Sequence, residues 1–276
     1  MTVKVTKIVT GLTFTEGPRW HDSALWFSDF YTRSVYRLDD QNCMTQVVEV
    51  PHRPSGLGWT PDNELMVVSM LSRELLKFDG EELHCIADLS ALVNHQCNDM
   101  VVTSRGDAYI GNFGFDLISE KPRGTVLMHV SSAGTARVVA KDLVFPNGSA
   151  ILDDGRTLVV AESFGKRLTA FDVSKDGSLS GRRVWADLGD YFPDGISLDA
   201  DGGIWVATPG TYQVIRVEEG GKITHHVPLE SNAYACVIGG GQSEYLYICT
   251  SDHASEADCL KNKSASICRL DLRTLV

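Results

Sequence analysis

A short pattern recurs six times along this chain and constrains its fold more than any other feature. A small or polar pair leads into a short apolar strand, then a turn rich in Asp and Gly, then a second apolar strand. Around residue 194 it reads PDGISLDADGGIWVA, around 147 PNGSAILDDGRTLVVAES, around 98 CNDMVVTSRGDAYIGNF and around 55 PSGLGWTPDNELMVVSM. The first copy is TEGPRWHDSALWFSDF and the last is ACVIGGGQSEYLYICT. The leading positions are Glu16, Ser55, Asn98, Asn147, Asp194 and Ala235, at gaps of 39, 43, 49, 47 and 41 residues. A period of that length, carrying four short strands, is that of a propeller blade. Gln213-Val214-Ile215-Arg216-Val217 and Ile223-Thr224-His225-His226-Val227 illustrate the outer pair of strands in one repeat. Alternation in such runs indicates strands, and no stretch sustains a helical period.

Six repeats account for nearly the whole chain, which predicts one all-β domain over residues 1–276, a six-bladed β-propeller. The sixth repeat ends after its third strand, Ser266 to Leu272, whereas the opening strand Val3 to Thr10 has no place in the first. The opening strand is therefore expected to close the last blade from outside, removing the edges an open sheet would leave.

The innermost strand of each blade lines the central channel, so the six leading positions should face the axis. Glu16, Asn98, Asn147 and Asp194 then bring two carboxylates and two carboxamides together, an all-oxygen site suited to one hard divalent cation. Without a cation, the two carboxylates would repel and one would protonate. Asn147-Gly148 and Asp194-Gly195 are also common turn pairs. The turns of those repeats, however, are already supplied by Asp153-Asp154-Gly155 and Asp201-Gly202. The loops between second and third strands are expected on the same face. They bring Asp29, Tyr31, Asn112, Phe113, Asp116, Glu162, Thr208, Asp252 and His253 to a polar rim spotted with aromatics, the setting of a small-molecule pocket.

Composition narrows the partners. With 25 Lys and Arg against 36 Asp and Glu, the net charge is −11. A surface that acidic disfavours nucleic acid and anionic lipid. No apolar run approaches a membrane span, and the start has no long apolar signal core, so a cytoplasmic protein, monomeric or a small homo-oligomer, is expected. The seven cysteines lack metal-site spacing and read as free thiols. Cys97 and Cys236 adjoin axis positions but have no evident basic partner, so packing is expected of them. Motifs for a serine elbow, a phosphate loop, a dinucleotide fold or a zinc protease are absent from the sequence.

TEGPRW, CNDMVV with RGDAYIGNF, FPNGSAILDDGRTLVVAES, PDGISLDADGGIWVA and ACVIGGGQSEYLYICTSDH together resemble the senescence-marker-protein, gluconolactonase and luciferin-regenerating enzyme family. The resemblance runs from about residue 12 to 272. It implies a six-bladed propeller holding Ca²⁺, or Zn²⁺, Mn²⁺ or Mg²⁺, and the hydrolysis of lactones. By motif, Glu16, Asn147 and Asp194 fall on the family's metal ligands, with Asp194 also its general base. Asn98 falls on a residue that meets substrate and, in some relatives, the metal. Asp116 falls where sugar-lactone enzymes keep an acidic substrate contact, and Gln96 stands where they often have Arg. That exchange, and a Val101-Val102-Thr103-Ser104 loop without their Asp-Pro, point away from a sugar lactone. The expected activity is thus metal-dependent opening of a lactone or ester, with Asp194 as base and Gln96, Asn98 and Asp116 as substrate contacts. The alternatives are the same site applied to organophosphates or to non-hydrolytic carbonyl chemistry, and a propeller that only binds another protein.

Overall fold

The computed structural model describes residues 4–152 and 155–275. Six four-stranded antiparallel sheets succeed one another along the chain, spanning residues 15–49, 54–88, 97–143, 146–187, 196–228 and 232–271. In the first five, the strands hydrogen-bond in sequence order. The sixth takes its outermost strand from the other end of the chain: Val5–Leu12 pairs antiparallel with Ala265–Asp271, from Val5 opposite Leu270 to Leu12 opposite Ala265, with slips between Lys7 and Val9 and between Thr10 and Leu12. The expected closure of the ring is present. Asp153 and Asp154 of the expected fourth-repeat turn, and Val3, lie outside the described residues.

The core is divided as a propeller requires. Six apolar clusters each fill the space between two neighbouring blades. Val35, Leu57 and Val67 lie between the first and second, and Val159, Ile204 and Ile215 between the fourth and fifth. The second strand of each blade is packed on both sides, so Leu65–Ser69 and Ile204–Thr208 are buried at every position. That explains why these strands read as continuous apolar runs rather than as alternation. Outer strands such as Met44–Glu49 are largely exposed.

One irregularity recurs at the inner strands and positions the site. The pairing of first with second strand slips between Glu16 and Arg19, Pro54 and Leu57, Cys97 and Met100, Pro146 and Ser149, and Ala233 and Ala235. In the fifth blade, Asp194 and Gly195 both bond to Ala207, the N–H of one and the C=O of the other. Each is a β-bulge, which re-aims a side chain without ending the strand. In blades one to four the leading residues therefore lie within the inner strands at a bulge, not ahead of them as the sequence suggests, whereas Asp194 stands just ahead of the strand Ile196–Leu198. The bulge also corrects the sixth position. Alignment on the slip puts Tyr234 beside Asp194, and Ala235 is buried against Gly195.

The second member of each pair explains the recurring glycine. A Cβ on Gly17, Gly56, Gly148 or Gly195 would stand 2.5, 2.3, 2.6 or 2.5 Å from an atom of the next inner strand. The x-Gly pairs of blades four and five are thus demanded by blade-to-blade approach, not by turns.

Candidate functional site

At the channel, neighbouring blades pass hydrogen bonds around the axis. Ser55 Oγ donates to Asn98 Oδ1 (3.4 Å), and the Asn98 amide donates to Asn147 Oδ1 (2.8 Å). The Asn147 amide donates to Asp194 Oδ1 and to Ser163 Oγ (3.1 Å). Ser163 in turn donates to the Pro193 carbonyl at 2.7 Å, fixing the chain just before Asp194. Glu16 stands apart from this run; its Oε2 accepts only a 3.2 Å bond from the neighbouring Gly17 N–H.

The charges are arranged unfavourably for a site left to itself. Burial raises the Glu16 carboxyl well above the usual range, and Asp194 and Asp99 raise it further against Gly17 and Arg19. Burial likewise raises Asp194, with Asp99 adding to it and the Asn147 amide opposing. Asp99, the second member of its bulge, pairs with Arg19 at 2.9 Å and is itself raised by burial. Arg19, the cation in this neighbourhood, is thus already engaged. Two sequestered carboxylates and two carboxamides on neighbouring inner strands are residue types that fit a hard divalent cation, with the carboxamide oxygens now engaged by Ser55 and Asn98. Among the described residues, no three His, Cys, Asp or Glu side chains gather into a metal cluster, so any ion here would depend on the carboxamides as well.

The remaining expectations divide. Gln96 lies on the loop before the third inner strand, its carbonyl accepting from Phe113 N–H at 3.1 Å. Asp116 is exposed on the loop after the strand Ala108–Asn112, with Oδ1 accepting from Ile118 N–H, Ser119 N–H and Ser119 Oγ. Those bonds hold its carboxyl below the usual range. Several residues expected on the rim turn inward instead. Asp29, Asn112, Glu162 and Thr208 close the second strands, are each 0% exposed, and bind loop backbone or neighbouring side chains. Burial pushes the Cys97 thiol up to about 12 and the Cys236 thiol higher still, so both are packed and protonated.

Over Asn147, Ser163 and Asp194 opens a cavity of about 450 Å³. Its other walls, unforeseen in the sequence, are Leu117, Phe145, Phe164, Phe192, Pro193, Pro209 and Tyr234. A signal for two of them was present: Phe145-Pro146-Asn147 and Phe192-Pro193-Asp194 are one pattern, one repeat apart. Larger hollows of about 590 and 610 Å³ lie off the axis, lined by Lys7, Glu230 and Cys268 in one case and by Asp199, Arg216 and Arg273 in the other. Neither is lined by an axis residue.

Comparison with known proteins now bears on this geometry. The family described as SMP-30/Gluconolactonase/LRE-like region matches residues 14–252. The chain belongs to that family. Its relatives include 6-deoxy-6-sulfogluconolactonase of Pseudomonas putida, 24% identical over 92% of this chain and 88% of that protein. Strictosidine synthase-like 7 of Arabidopsis thaliana is 26% identical over 57% of this chain, which spans only 44% of that protein. Among solved structures, luciferin-regenerating enzyme superposes with a TM-score of 0.83 at 18% identity, covering 98% of this chain and 95% of the other. That likeness establishes the shared propeller. No helix among the described residues is long and apolar enough to cross a membrane.

Proposed function

We propose that this member of the family hydrolyses a lactone or related carboxylic ester, with one divalent cation held by Glu16, Asn98, Asn147 and Asp194. Ca²⁺ leads the candidates because every donor is oxygen, with Zn²⁺, Mn²⁺ and Mg²⁺ behind it. The observation that carries the reading is the pair of sequestered carboxylates, Asp194 lining the cavity and Glu16 raised by burial and then by Asp194. The cation supplies Lewis acidity toward an ester carbonyl.

The chain's own residues account for the proton transfers. Asp194 accepts the proton of a water as its oxygen bonds to the acyl carbon. Asn98 uses one N–H on Asn147 and has a second for the oxyanion that forms. The acyl C–O bond then breaks, and the proton on Asp194 passes to the departing ring oxygen, leaving a hydroxy acid. Gln96 contacts the substrate from its loop, as does Asp116, whose Oδ1 is committed to its own turn and leaves Oδ2 for the task.

A pH-stat assay on a panel of lactones tests this. Asp194→Asn and chelation should each lower hydrolysis by about 10²-fold or more; activity that survives both overturns the proposal. The synthase-like relatives favour a second reading, in which the site binds a carbonyl without water attack. The same assay separates the two, because hydrolysis releases a proton per turnover and a condensation does not.

A further inference from the structure

We propose that the substrate carries an apolar alkyl or aryl group seated in the cavity between blades four and five, and that Phe164 and Phe192 select it. The inference rests on the lactone-hydrolase reading and names the class of substrate. Its basis is the unequal division of the cavity. Asn147, Ser163 and Asp194 occupy one side, where a carbonyl would lie. Ser163 and the Asn147 amide are already engaged, Ser163 accepting from Asn147 and donating to Pro193 and Asn147 donating to Asp194, while Asp194 is kept for the cation and the proton.

The opposite side is a run of aromatic rings. Phe145 and Phe164 have centroids 5.5 Å apart, and Phe164 and Phe192 are separated by 5.8 Å, both edge-on. Phe115, itself buried, backs the wall at 5.2 Å from Phe164. Phe164 and Phe192 remain 38% and 37% exposed, a substantial apolar surface for two residues beside a polar floor. Lys166 spends its charge over the Phe192 ring, 4.8 Å from the centroid, rather than on the cavity. A polyhydroxylated ring placed here would leave most of its hydroxyls without partners, which a pocket penalises strongly. An alkyl or aryl group would cover the exposed rings and gain the burial of both surfaces.

The test uses the full chain loaded with Ca²⁺. Hydrolysis is measured on δ-lactones of increasing side-chain length and on gluconolactone, alongside binding of the matching non-hydrolysable lactams by calorimetry. Expected are a kcat/KM that climbs roughly fourfold per methylene, gluconolactone at least tenfold below the longest alkyl lactone, and lactam affinities that follow the same climb. Phe164→Ala and Phe192→Ala, both at partly exposed positions, should each flatten the climb, chiefly through KM. Gluconolactone turned over as well as the alkyl lactones would overturn the inference and leave the hydrolase reading intact. Lactam binding that climbs with chain length and weakens in both variants, with no lactone hydrolysed, would uphold the apolar site and remove the hydrolase reading. Binding indifferent to chain length would overturn it.

Discussion

A Cβ at position 148 would stand 2.6 Å from the Asp194 carbonyl oxygen and 2.6 Å from the Ile196 nitrogen, and this single approach shows how closely the site depends on its glycines. Gly148→Ala must push neighbouring inner strands apart and carry Asp194 with one of them. The expected loss is about 1–3 kcal/mol of stability, typical of an overpacked interior, together with weaker Ca²⁺ binding. A denaturant midpoint and a metal titration both equal to wild type would show that the strands separate freely. Residue by residue, the sequence disclosed five of the six leading positions because their polar side chains repeat in register. It misplaced the sixth, because the bulge inserts a residue and blade six carries Tyr234-Ala235 where blades one, two, four and five carry a polar residue and glycine and blade three carries Asn98-Asp99. The aromatic wall was passed over for a related reason: Phe145 and Phe192 stand where a search for polar ligands does not look.

Among the elements, the second strands end on a buried polar residue that fixes the loop beyond it, and the strongest case is Glu162. Its carboxylate accepts from Arg167 Nε at 2.9 Å, Thr169 Oγ1, Val144 N–H at 2.8 Å and Arg182 at 3.3 Å. Burial alone would raise this carboxyl, but Arg167, Thr169 and Val144 together hold it below its ordinary value. A carboxyl depressed in the folded state contributes stability above its unfolded pKa, and that contribution is lost as pH falls through the folded pKa. Urea midpoints followed downward from neutral pH should therefore fall less steeply for Glu162→Gln than for wild type. Near pH 7 the variant should be less stable by about 1–3 kcal/mol, the range for leaving buried hydrogen-bond partners unsatisfied, since Arg167 and Arg182 remain partly open to solvent. Parallel curves for the two proteins would refute the role. The sequence placed Glu162 on an open rim because a strand end and a loop start look alike until the register is known. In blades one, two, four and five the loop is four residues long and ends on a left-handed residue, Arg33, Arg73, Lys166 or Tyr212. Blades three and six instead carry long loops at residues 113–124 and 252–264, the latter holding the helix Glu256–Asn262.

For the molecule as a whole, the ring depends on a strand borrowed from the opposite end of the chain. Removing residues 1–12 would expose the Ala265–Asp271 edge and take away the packing of Leu12 and of the partly buried Val5, Ile8 and Val9. At about 1–2 kcal/mol for each partial burial, the loss is roughly 5 kcal/mol, or a Tm lower by about 10–20 °C. An unchanged Tm would mean that the closure contributes nothing. The architecture was the most legible feature of the sequence, because a period repeated six times averages out local ambiguity and the odd strand count leaves one place for the first strand. Chemistry was legible only to the extent that it shares that period. The aromatic cavity draws its walls from loops of different length in blades three to five and from Tyr234 of blade six, so it does not share that period. On the reading proposed above, the axis residues form one divalent-cation site. Calorimetric titration of Ca²⁺ into chelator-stripped protein tests it most directly, with wild type, Glu16→Gln and Asp194→Asn compared after circular dichroism confirms their fold. One ion per chain, bound at least about 100-fold more weakly by each variant, is the predicted result; stoichiometric binding unchanged in both variants, or no binding by wild type, would contradict it.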